Sequence, residues 1–147
     1  MGPTEAASQI AAVAQQVLGI RDAIYPATGL PPKYPGMAIL LGETTIEYFS
    51  TEQHWQMQVR GLLMTGLVND TKHHVNEVDP LLVRLVDAFA PTGPGGGNFS
   101  LWRADGEHVD ACVLGAINAG IEITYGGLVH YGAEILWNVA FRRFNHE

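Results

Sequence analysis

Residues 121–144 read IEITYGGLVHYGAEILWNVAFRRF, two strand-like runs on either side of a turn. The first run, Ile121–Tyr125, is short, and Gly126-Gly127 supplies the positive φ that a tight turn needs. The second run alternates. Ala133, Ile135, Trp137, Val139 and Phe141 fall on one side, and Glu134, Leu136, Asn138, Ala140 and Arg142 on the other. A period of two with a continuous apolar side describes a long strand with one face in a core. A chain that places its most regular strand last must complete its sheet around that strand, so the preceding segments are expected to pack against it.

The run from His54 to Val68 has the same period. Trp55, Met57, Val59, Leu63 and Leu67 share one parity, opposite Gln56, Gln58 and Arg60, and Leu62 and Met64 make the later half apolar on both faces. A strand wet at one end and buried on both faces at the other meets another subunit or a covering element. Gly61 and Gly66 mark bulges or close approaches.

Two helical stripes accompany these strands. Ile10, Val13, Ala14, Val17 and Leu18 recur at helical spacing between Thr4 and Leu18, with Thr4 or Pro3 to open the helix and Gly19 to close it. Its small residues predict close approach to a sheet. Leu82, Leu85, Val86 and Phe89 form the second stripe. Asp79-Pro80 offers a cap and first-turn proline, although the helix can begin earlier, near Val75, with Pro80 inside it.

Between them, residues 26–36 hold four prolines and two glycines and read as a loop. Met37–Leu41 is a short buried strand ended by Gly42, and Glu43–Gln53 is a strand end with an extended hairpin loop. Residues 91–98, PTGPGGGN, form a flexible connector, and Ala111–Ile117 is a strand that turns at Asn118-Ala119-Gly120 into Ile121. The sum is one α+β domain over 1–147, a mainly antiparallel sheet with two helices packed on one face.

Composition narrows the function. The chain has 147 residues, 47% of them hydrophobic, with mean hydropathy near zero. No apolar run approaches the roughly 20 residues of a membrane span, and the N-terminal stretch lacks the basic and apolar regions of a signal peptide. With a net charge of −7 and Lys33 and Lys72 as the sole lysines, the chain is ill suited to gripping nucleic acid, which takes clustered cations. Cys112 is the single cysteine, so neither an intrachain disulfide nor a cysteine-rich zinc site is available.

Chemistry-bearing motifs do not assemble. His73-His74, near Asp70, Glu77 and Asp79, lacks the spacing that puts two ligands on one helix face. The glycines of 93–97 are not followed by the lysine of a phosphate loop, and no Gly-x-Ser-x-Gly elbow exists. No catalytic residue, metal ligand or cofactor site is expected.

The order of elements resembles the tail terminator (tail-completion) proteins of long-tailed bacteriophages. The segments that carry the resemblance are the amphipathic first helix, the Pro-rich loop, the strand Pro35–Leu41, the extended loop, the long strand, the Asp79–Leu82 helix and the closing unit from Gly120 to Phe144. The resemblance implies a non-enzymatic virion protein of the tail and neck, assembled in the host cytoplasm. It would form a homohexameric ring at the head-proximal end of the tail tube. Its partners would be further copies of itself, the tail tube protein and the head–tail connector or stopper protein, with DNA passing through the lumen unbound and no membrane involved. Expected interface residues are Glu47, Tyr48 and Phe49 toward the tube, Phe99, Leu101 and Trp102 toward a neighbour, and Leu62, Met64 and Arg142 on the long strands. The alternatives are another neck or tail-tube protein, or a small cytosolic metal-dependent enzyme.

Overall fold

The computed structural model describes residues 2–30, 32–69, 71–90 and 108–145, with backbone alone for 71–75 and 108–111. The order is α1 (Pro3–Gln15), β1 (Asp22–Ile24), β2 (Gly36–Tyr48), β3 (Glu52–Leu67), α2 (Thr71–Ala88), β4 (His108–Tyr125) and β5 (Leu128–Phe144). The strands form one sheet in the order β1-β2-β3-β5-β4. All neighbours are antiparallel except β1, which runs parallel to β2 along three residues. This is the α+β architecture that the periodicities predict.

The alternation of β3 and β5 sets the layers. Met57, Val59 and Leu63 join Ala133, Ile135, Trp137, Val139 and Phe141 in the main core, under α1 and α2. Helix α1 presents Ala6, Ala7, Ala11 and Ala14, all buried, so its backbone can sit close to the sheet. On α2, Val78, Leu81, Leu82 and Leu85 face inward, and Phe89, just past the helix, packs on Trp137 with ring centroids 5.2 Å apart.

A second, smaller core lies on the other face. Ala38, Leu62, Met64, Ile123 and Tyr125 are covered there by Ile24 of β1 and by Ala27 and Tyr34 from the Pro-rich segment. His130 is fully buried beside them. Its Nε2–H donates to the Tyr125 carbonyl at 3.1 Å, since a carbonyl can only accept, and in the neutral ring Nδ1 accepts from the Tyr34 hydroxyl at 2.7 Å. The Gly29 N–H in turn donates to the Tyr125 hydroxyl at 3.0 Å.

Several boundaries differ from the sequence expectations. Helix α1 starts after Gly2 and stops at Gln15, so Leu18 lies beyond it and is 77% exposed instead of completing the stripe. Gly42 does not end β2, which runs on through a register shift between Leu41 and Thr44 to Tyr48, so most of the expected loop at 43–53 is paired strand. Gly120, with φ +67°, is not a turn but lies at a shift between Ala119 and Ile121 inside a continuous β4. Asp79-Pro80 does not open α2; Pro80 lies inside it. An interior proline costs about 3 kcal/mol, which the apolar stripe running through it from Val78 to Leu85 offsets by burial. Strand β1 was not anticipated.

Candidate assembly surfaces

Among the described residues, the β2–β3 hairpin carries the most exposed aromatic group. Every residue from Thr45 to Thr51 is exposed, with Tyr48 at 72%. The tip is nevertheless fixed. The Phe49 N–H donates to the Glu52 carbonyl at 2.9 Å, and the Asn145 N–H to the Thr51 carbonyl at 3.0 Å. The Asn145 side-chain amide donates to the carbonyls of Phe49 and Ser50 at 3.1 and 3.2 Å. Phe49 packs on His54 at 4.4 Å between centroids, and His54 Nε2 lies 3.1 Å from Glu52 Oε1. Asn145, just past β5, thus holds the turn between β2 and β3, and sequence reading missed its role.

Behind the tip, Trp55 stacks on Phe141 at 5.5 Å and Arg143 lies over the Trp55 ring at 5.4 Å. The Trp55 indole N–H donates to Gln53 Oε1 at 3.0 Å. Arg142 has the opposite parity, across from His54 and His108 in the ladders. The register brings Glu47, Tyr48, Phe49 and Arg142 to one end of the sheet, and of these the aromatic and arginine side chains are the types enriched among interface anchors. Phe99, Leu101 and Trp102 lie outside the described residues.

Leu62 and Met64 do not belong to a subunit surface. They are 6% and 0% exposed, because the chain's own segment between β1 and β2 covers them. Doubly apolar β3 meets a covering element, not another subunit.

The face opposite the helices is open toward the hairpin end. Glu43, Thr45, Gln56, Gln58, Val113 and Asn138 line a shallow concavity of about 380 Å³ there. Nearby, Arg60 holds Glu134 in a two-pronged pair, Nε to Oε1 at 3.3 Å and Nη2 to Oε2 at 3.1 Å. That pair cancels its own charge, so the Glu43 carboxylate, with amides and a hydroxyl around it, sets the character of this surface.

Among the described residues no reactive groups gather. Cys112 is buried, and burial pushes its thiol up to about 12, which leaves it without thiolate at neutral pH. Burial also raises the Tyr34 hydroxyl above its ordinary value. Among the described residues no three His, Cys, Asp or Glu side chains converge as metal ligands, and no helix is long and apolar enough to cross a membrane. The His73 and His74 side chains lie outside the described set. Compared with models of protein families and with curated proteins, the chain matches none.

Proposed function

We propose that this chain is a structural virion protein of the tail terminator type. Copies would close a ring at the head-proximal end of a phage tail tube, end tube growth, and join the tail to the neck. The observation that carries the reading is the hairpin tip. A rigid, aromatic, exposed turn pinned by Asn145 is a docking element with little ordering entropy left to lose on binding. The order of elements that prompted the resemblance adds support. An acidic chain, −7 overall, would also let a duplex pass its lumen without adhering.

The test is the mass of the purified protein by native mass spectrometry over a concentration series. A discrete ring near the expected six subunits supports the reading. Unlimited stacks identify a tube subunit instead. A monomer that retains a metal ion refutes the structural role.

A further inference from the structure

Among the described residues the sheet has two edges that no other strand pairs, and neither carries lysine or arginine. Strand β4 borders it on one side, and from Ala111 to Ile121 it holds no charged residue and no proline. Gly115 to Gly120 are all exposed, and Val113 and Ile117 are 52% and 37% exposed. On the other side β1 covers β2 only at Gly36–Ala38, so the edge from Leu40 to Tyr48 is open. Exposed edges present unpaired backbone N–H and C=O groups, and monomeric proteins guard them with charged side chains, lysine above all, or with proline, bulges or a covering element. Neither edge has lysine or proline here.

We propose that neighbouring copies join edge to edge, β4 of one copy pairing antiparallel with the open part of β2 in the next. The inference rests on the ring reading above. Three features select this pairing. First, the sense is right: β2, β3, β5 and β4 alternate in direction. In a ring with its axis along the strands, β4 of one copy therefore meets β2 of the next antiparallel, in the favourable ladder pattern. Second, the heights match: through β3 and β5, Leu40 stands level with Ala116 and Glu47 with His108. A stagger, which closed sheets require, slides β2 along the uncharged stretch. Third, charge disfavours the alternative: pairing β2 with β2 would bring Glu43 and Glu47 of both copies together, whereas the stagger sets them against the uncharged Ala111–Ile121 stretch of β4. The contact is heterologous, so it propagates around a ring and leaves no edge over when the ring closes. Register shifts in β4 at Val109/Ala111, Leu114/Ala116 and Ala119/Ile121 add twist and bend, as a closing sheet needs.

The experiment is disulfide cross-linking of the full chain in a Cys112→Ala background. Val113→Cys is combined in turn with Glu43→Cys, Thr45→Cys or Glu47→Cys, and native mass is measured on the same samples. A ladder of covalent multimers rising to the ring, from at least one pair and from neither single cysteine, is the expected result, and the pair that gives it reads the register. In parallel, Val113→Lys with Ile117→Lys is expected to convert ring to monomer with the circular dichroism spectrum retained. A ring by mass with no ladder from any pair leaves the ring reading standing and overturns the edge contact. Dimers from Val113→Cys alone identify β4–β4 pairing and also overturn it. A chain monomeric at every concentration and without ladders overturns both.

Discussion

The indole of Trp137 lies directly on Gly61, where an added Cβ would stand 2.6 Å from Cζ3 and 2.9 Å from the methyl carbon of Met37. The two residues are diagonal neighbours on adjacent strands, since Gly61 pairs with Ile135 and Trp137 with Val59. Trp137 is fully buried and, among the described residues, its Nε1 has no hydrogen-bond partner, so the contacts described for the ring are packing contacts. Gly61→Ala is therefore expected to destabilise the fold by about 1–3 kcal/mol through overpacking. Urea denaturation followed by tryptophan fluorescence checks this, and an unchanged midpoint would show that the indole is not held as described.

The glycines separate by what their missing Cβ would meet. At Gly132 it would run into the Leu63 carbonyl of the neighbouring strand, whereas at Gly127 it would meet open space at φ +79°. Gly132→Ala is expected to cost about 3 kcal/mol or more, since backbone must move. Gly127→Ala costs only the left-handed conformation, about 1 kcal/mol. Thermal melts of the two variants side by side decide it, and equal losses would contradict the packing.

Tyr34 anchors the Pro-rich segment through His130. Tyr34→Phe leaves the buried Nδ1 acceptor without its donor, a loss of about 1–3 kcal/mol. Combining it with His130→Leu should yield less than the sum of the single effects, because the two share one interaction. Strict additivity in the double-mutant cycle would argue against the bond.

Cys112 should resist labelling by a maleimide in the native protein at pH 8 and react once urea unfolds it. Burial raises its folded pKa from an ordinary 9.0 to about 12. The unfolded state therefore releases its proton first as pH rises, and stability falls between those values. Cys112→Ala should flatten that part of the stability–pH curve, and an unaltered slope would exclude the cysteine as its source.

Tyr48 is so exposed that Tyr48→Ser should leave stability within about 0.5 kcal/mol of the original. Under the tail-terminator proposal the same variant should cap tail tubes poorly. Electron microscopy of tubes assembled with each protein measures this through tube length, and full capping by Tyr48→Ser would remove the tip from the docking surface.

Periodicity carried as far as the layers and no further. The alternation in His54–Val68 and Ala133–Phe141 identified the two central strands and the face each turns to the core, because a strand's side chains alternate whatever it pairs with. The stripes at Ile10–Val17 and Leu82–Phe89 likewise placed both helices, and Gly126-Gly127 marked a real turn. Ends were harder. Gly42 and Gly120 each look like a stop, yet a glycine accommodates a bulge as readily as a turn, and only a paired neighbour strand distinguishes them. Pro80 looks like a first-turn residue for the same reason, since burial of the stripe on both sides of it is not a local property.

The sequence by itself determined the class of fold and the apolar side of β3 and β5. These are properties of residue type and spacing along the chain. Tertiary structure alone decided that the Pro-rich segment covers Leu62 and Met64, that His130 is locked between Tyr34 and the Tyr125 carbonyl, and that Asn145 pins a turn nearly a hundred residues earlier. Those relationships depend on which distant segments the sheet order brings side by side, and no local pattern encodes that order.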